Sequence, residues 1–150
     1  MEPLDLTVRP PRGCYEELDG LMFMPRTIDK MRAMLDGGKK GEYIINAQVT
    51  GISGFLLECL GITEAEFREA VERAPDDEAV AAWLRTRVDT GLYPKLNATM
   101  ARIEAKHASD PEFVRKFYKE TLTENPHLVT MFDIIAADDR RMFPDPVSHP

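Results

Sequence analysis

Apolar residues recur at helical spacing along most of the chain, between residues that favour the start or end of a helix. The first such segment begins at Pro25, a residue suited to the first turn of a helix. Ile28, Met31 and Leu35 then follow at intervals of three and four residues, which predicts one buried stripe. Gly37-Gly38 favours the end of this helix.

Capping residues predict the later helices. Ser53 is expected to cap a short helix that Gly61 ends, and Thr63 and Glu66 have the spacing of a capping box. Further helix starts are expected at Asp76 or Asp77, Pro94, Asp110-Pro111 and Asn125-Pro126.

Two helix ends are predicted from the same patterns. The stripe from Leu96 continues to His107, which places His107 in the last turn of the helix that begins at Pro94. The last helix is expected to end near Ala137, because Asp138 and Asp139 would be unfavourable at the negative end of a helix.

The segments outside these helices are predicted to be irregular. Residues 1–24 should form an extended arm packed over the helices, with Pro10-Pro11 favouring extended backbone and a short helical turn at 16–18. Residues 42–50 are β-prone but have no obvious partner strand, and 142–150 form a loose tail. The sequence therefore predicts an all-α fold, with residues 1–150 as a single domain of five to seven helices.

Charge is unevenly distributed. Residues 1–41 carry seven Lys/Arg and seven Asp/Glu, so the net charge of −7 comes entirely from the remainder. An acidic body repels phosphate backbones, which argues against nucleic-acid binding. No apolar run has the roughly 20 residues of a membrane span, and no signal-peptide pattern is found. These patterns, with two reduced cysteines, predict a cytoplasmic protein without membrane contact.

Arg26 and Lys30 are the leading candidates for a binding site. Their i, i+4 spacing places both cations on one helical face, near a helix start where an anion could bind. The alternative is structural, with Arg26 paired to Glu16, Glu17 or Asp29 and Lys30 solvated.

Other polar residues are weaker candidates. Tyr43 and Asn46 lie in an irregular stretch, where loop residues often hold ligands, although they could equally satisfy backbone groups. Arg9 and Arg12 are possible additional contributors. Residues 37–41 form a basic turn that lacks the spacing of a phosphate-binding loop.

The sequence offers no motif for a particular reaction. The three histidines are scattered without ligand spacing, so no metal site is predicted, and no cofactor is expected either. Cys14 is expected to be accessible, and Cys59 to be inert in an apolar helix. Whether the protein is an enzyme stays open.

Several motifs in the first 90 residues are found together in a known family. These are Leu4 to Arg12, Met24 to Arg32 with Met24 in place of Leu, Gly41-Glu42-Tyr43 with Asn46, and Phe55 to Ile62. The chain resembles the bacterial family catalogued as domain of unknown function 5069. The resemblance implies a bacterial origin and no chemistry.

Two functions are consistent with these patterns. The first is binding of a small anionic molecule through the N-terminal region. The second is a protein–protein interaction module or homodimeric adaptor without a ligand pocket, which would use an exposed apolar run at residues 21–24.

Overall fold

The computed structural model describes residues 1–45 and 51–144. Within them the fold is mainly helical, as predicted, although it has eight α-helices where five to seven were expected. The helices are α1 (Met24–Met34), α2 (Ile52–Leu60), α3 (Glu64–Arg73), α4 (Asp77–Arg87), α5 (Tyr93–Ala101), α6 (Pro111–Phe117), α7 (Lys119–Glu124) and α8 (Met131–Met142). Short 3₁₀ turns occupy Thr90–Leu92 and Ala105–His107.

A small hairpin precedes α1. Strands β1 (Glu17–Leu18) and β2 (Leu21–Met22) pair antiparallel, so the helical turn predicted at 16–18 is wrong. Asp19 and Gly20 connect them with φ angles of 53° and 85°, the positive values that a tight two-residue hairpin turn requires. The Asp-Gly pair is the sequence signal for this hairpin.

Asn97 of α5 closes the outer edge of β2. Its side-chain Oδ1 accepts a hydrogen bond from the Met22 N–H at 2.8 Å, and its Nδ2 donates to the Gly20 carbonyl at 2.8 Å. One side-chain amide thus pairs both edge groups, as the backbone of a neighbouring strand would.

Helix α1 is the central element of the fold. Every residue from Met24 to Met31 is buried, so the helix is covered on all sides although four of these eight residues are polar or charged. An amphipathic surface helix would bury only one stripe. The stripe of Ile28 and Met31 is confirmed, but the other faces of α1 are buried as well, which the sequence pattern did not predict.

The predicted helix starts are correct where a local cap determines them. Thr63 and Glu66 bond each other's backbone N–H groups in a full capping box, and Asp76 and Asp110 cap α4 and α6. Gly61 ends α2 at a φ of 69°, as expected. Ser53, however, lies inside α2, where its buried hydroxyl is 3.1 Å from that of Thr27.

Two helix ends differ from the prediction. Helix α5 ends at Ala101, and His107 lies in a separate 3₁₀ turn with its side chain exposed. Helix α8 begins after the Thr130 cap rather than at Asn125-Pro126, and it continues to Met142 rather than ending near Ala137. Asp138 and Asp139 therefore lie inside α8, where cations neutralise both carboxylates.

The core joins the hairpin, α1 and α8. The Phe23 and Phe132 rings stack with their centroids 5.4 Å apart, and α1 also packs against α3. The run at residues 21–24 is part of this core, since Leu21, Phe23 and Met24 are each at most 1% exposed. It is therefore not an exposed patch for a partner. No helix in the described ranges is long and apolar enough to cross a membrane.

The N-terminal residues pack into the fold. The extended arm that was predicted over residues 1–24 is therefore not confirmed. Leu4 and Leu6 are buried. The backbone N–H of Lys39 donates to the Leu4 carbonyl at 3.0 Å, and the Lys39 carbonyl accepts from the Leu6 N–H at 2.8 Å. Arg12 joins this segment to two helices by pairing with Asp29 of α1 and Asp77 of α4. Of the predicted tail, Met142 belongs to α8 and 145–150 lie outside the described residues.

We expect Arg12→Met to lower the free energy of unfolding by about 2–3 kcal/mol, because it leaves the buried Asp29 carboxylate without its main cation. Urea denaturation measures this loss. The control is Arg73→Met, whose exposed pair with Glu69 should contribute less than about 1 kcal/mol. Equal effects of the two substitutions would contradict a structural role for Arg12.

Candidate functional site

A cavity of about 50 Å³ lies between α1, residues 42–44, the start of α2, and helices α6 and α8. Its walls combine apolar and aromatic side chains with a few buried polar groups, which is the usual make-up of a small-molecule site. The polar residues on the wall that are not exposed are Arg26, Lys30, Tyr43, Tyr118 and Asp138, and the aromatic ones include Phe23, Phe113 and Phe117.

Arg26 forms a buried ion pair across the fold. Its two terminal nitrogens donate to Asp139 of α8 at 2.6 and 3.1 Å, and Tyr43 donates to the same carboxylate at 2.8 Å. Arg26 is 2% exposed, so both charges are largely removed from water. The Nε–H of Arg26 is buried and has no acceptor among the described residues.

Lys30 is buried one turn further along α1. Among the described residues, no carboxylate lies within ion-pair distance of its Nζ, which is 5.5 Å from the centre of the Phe23 ring. Burial and, to a smaller extent, the nearby positive charge of Arg26 lower the pKa of Lys30 to about 7, although Cys14 and Asp139 oppose the shift. At neutral pH the amine is therefore divided between its charged and neutral forms.

The remaining charges near the cavity cancel in pairs. Asp138 accepts hydrogen bonds from Thr121 at 2.6 Å and from Arg141 at 3.1 Å, while Asp139 is neutralised by Arg26. Glu42 also borders the cavity but is exposed. The protonation state of Lys30 therefore sets the net charge of the buried wall.

Three further features surround the two cations. Phe23 has a φ of 70°, a strained value for an aromatic residue, and such strain is concentrated at functional sites. Burial raises the pKa of the Cys14 thiol to about 11, so Cys14 is an inert buried group rather than an accessible thiol. Burial also raises the pKa values of Tyr43 and Tyr118, which keeps both hydroxyls protonated.

The structure brings together three of the six predicted site residues. Arg26, Lys30 and Tyr43 line one cavity, although the partner of Arg26 is Asp139 and not Glu16, Glu17 or Asp29, and Lys30 is not solvated. Arg12 is held in its own ion pairs, and Arg9 is half-buried and is not among the residues that line the cavity. Asn46 lies outside the described residues.

Sequence reasoning missed Asp138 and Asp139. Both were expected to lie beyond a helix end near Ala137, but Phe132, Ile135 and Asp139 are spaced by three and four residues. That spacing places a carboxylate on the buried face of a helix, which is the signal for a partner to a buried cation. No comparable spacing in the sequence indicates that Tyr118 lines the cavity.

The fold and the cavity define a helical protein with a small cavity that two buried cations help to line. The chain belongs to the family described as domain of unknown function (DUF5069), which matches residues 8–141. This confirms the resemblance found in the sequence motifs. No curated protein matches the chain. Among the described residues, no group of histidine, cysteine and carboxylate side chains could hold a metal ion.

We expect Arg26→Met to lower the free energy of unfolding by about 3–5 kcal/mol, because Asp139 would be left as an uncompensated buried charge. Chemical denaturation measures this cost. The double variant Arg26→Met with Asp139→Asn should recover part of the loss, because no buried carboxylate then lacks its cation. A single variant as stable as the wild type would show that the pair is not a structural link.

We expect stability to rise with pH just above neutrality because of Lys30. Its pKa is lowered from 10.5 to about 7 on folding, so the unfolded chain binds more protons between these values and the free energy of unfolding increases with pH. Cys14 acts in the opposite direction above pH 9, where the unfolded thiol ionises before the buried one. The Lys30 effect is therefore best measured between pH 7 and 8.5.

Urea denaturation of the wild type and Lys30→Met over this range tests the effect. The free energy of unfolding of the wild type should rise by about 1.5 kcal/mol relative to the variant. Lys30→Met should also be the more stable protein at pH 7, because it replaces a buried charge by an apolar side chain. Parallel pH profiles for the two proteins would contradict a lowered pKa of Lys30.

Proposed function

We propose that the protein binds a small anionic molecule, such as a short-chain carboxylate, in the cavity beside Lys30. The observation that carries this proposal is a buried amine on a cavity wall where the described residues supply no counter-ion. A buried ammonium without a partner is costly, and a bound carboxylate would lower that cost.

Charge and polarity in the cavity agree with such a ligand. Arg26 and Asp139 neutralise each other, as do Asp138 and Arg141, so among the buried groups a protonated Lys30 leaves one positive charge for the ligand to balance. The unpaired Nε–H of Arg26 is a second donor. Phe23, Phe113 and Phe117 provide apolar walls against which a short carbon chain can pack.

The cavity volume limits the size and affinity of the ligand. At about 10–15 Å³ for each water-sized group, 50 Å³ admits only a few non-hydrogen atoms. Even the most efficient small ligands gain about 1.5 kcal/mol per non-hydrogen atom. Binding is therefore expected to be no tighter than the low micromolar range.

Titration calorimetry with acetate, glycolate and inorganic phosphate tests the proposal. We expect saturable binding of a carboxylate that weakens by about 20-fold between pH 6.5 and 8.5, because deprotonation of Lys30 removes the binding-competent form. Phosphate, which is tetrahedral and more strongly charged, should bind less well in a cavity with apolar walls.

Lysine variants provide the controls. Lys30→Met should lose at least about tenfold in affinity, since it lacks the cation, whereas Lys116→Met should bind like the wild type because Lys116 pairs with Glu112 on the surface. The proposed function would be overturned if no saturable binding were found at ligand concentrations up to about 10 mM, or if Lys30→Met bound the ligand as well as the wild type.

A further inference from the structure

Lys30 combines two properties that a simple cation site does not require. Its Nζ lies against an aromatic ring on the wall of a cavity, and no acidic partner among the described residues holds it in the charged form. A lysine that is desolvated in a hydrophobic pocket beside another cation is the arrangement that activates an amine as a nucleophile. Arg26 is that second cation, one turn away on α1.

We infer that Lys30 forms a Schiff base with a small 2-oxo acid, the carboxylate of which lies beside Arg26 while its carbonyl carbon faces the Lys30 amine. This inference rests on the proposed function and names the substrate class of the same cavity. It also adds a covalent step, which anion binding alone does not require.

The step balances without an additional reactant. The lone pair of the neutral Lys30 amine attacks the carbonyl carbon, and the carbonyl π electrons move to oxygen. Proton transfer from nitrogen to that oxygen gives a carbinolamine. Loss of water, made from the carbonyl oxygen and the two amine hydrogens, leaves the carbon–nitrogen double bond of the imine.

The side chains around Lys30 favour the neutral amine that this step needs. Burial and Arg26 lower the pKa of Lys30 to about 7, so about half of the amine is neutral at pH 7, against roughly 1 in 2,500 for an ordinary lysine. Asp139 and Cys14 oppose this shift, but Asp139 is bonded to Arg26 and Tyr43, and the Cys14 thiol is uncharged.

The unpaired hydrogen-bond donor of Arg26 and the Lys30 amine together indicate a 2-oxo acid as the substrate class. The Nε–H of Arg26 is a buried donor without an acceptor in the described part of the chain, and a carboxylate supplies such an acceptor. A molecule that carries a carbonyl next to its carboxylate presents both groups within a few bond lengths. The small cavity volume favours the shortest members of the class.

Reductive trapping tests the inference in the 150-residue chain. Glyoxylate, the smallest 2-oxo acid, is added at pH 7 with cyanoborohydride, which reduces an imine to a stable secondary amine. Peptide mass spectrometry should then find Lys30 increased by the mass of glyoxylic acid less one oxygen atom. We expect Lys30 to be labelled at least about tenfold faster than Lys116, since the neutral fraction of its amine is far larger.

The pH dependence and two controls make the result specific. Labelling of Lys30 should increase between pH 6 and 8 as the amine loses its proton, whereas anion binding weakens over the same range. Glycolate, which has a hydroxyl in place of the carbonyl, should compete with glyoxylate but leave no adduct. In concentrated urea, where both amines are exposed, Lys30 and Lys116 should react at similar rates.

The outcomes separate the covalent step from the proposed function. Saturable labelling of Lys30 that glycolate slows supports both. Glycolate binding measured by calorimetry, with Lys30 labelled no faster than Lys116, overturns the Schiff base and leaves the anion site in place. Fast labelling of Lys30 without saturation or protection by glycolate supports the reactive amine and overturns the anion site.

Discussion

The buried ion pair between Arg26 and Asp139 is the interaction on which the cavity depends. It joins α1 to α8, and its carboxylate also holds the Tyr43 hydroxyl, so three separate parts of the chain meet at one group. A pair this far from water gains little net stability over apolar packing, but it is costly to break. Its effect is to fix the position of α1 against α8, and thereby the place where Lys30 meets the cavity wall.

In the binding-site interpretation of the sequence, Arg26 and Lys30 act together, because both are cations on one helical face; the structural alternative pairs Arg26 with an acid and leaves Lys30 solvated. The structure gives them different roles. Arg26 has a dedicated carboxylate and positions other groups, whereas Lys30 has none among the described residues and keeps a variable charge. The difference is made by Asp139, which is more than a hundred positions away along the chain. An acidic partner would hold a buried lysine in its charged form, and in this fold Asp139 is already bonded to Arg26.

Local chemistry explains which predictions were correct. The Pro25 start of α1, the Thr63–Glu66 capping box and the Gly61 stop depend on residues close in sequence, and each is found as expected. The burial of α1 on all sides and the passage of α8 through Asp138 and Asp139 depend on contacts distant in sequence. A pattern of apolar residues cannot show that a second helix supplies the partner for a buried charge. The sequence pattern therefore singled out Arg26, Lys30 and Tyr43, which line one cavity, but not the residues of α8 that also line it.

The amide of Asn97 has a consequence beyond holding the hairpin in place. An unpaired strand edge can recruit another strand from a neighbouring molecule and so begin an ordered aggregate. By bonding the Met22 N–H and the Gly20 carbonyl, Asn97 occupies the groups that such a strand would use. One helical side chain therefore protects this edge of the hairpin against β-type association with another molecule.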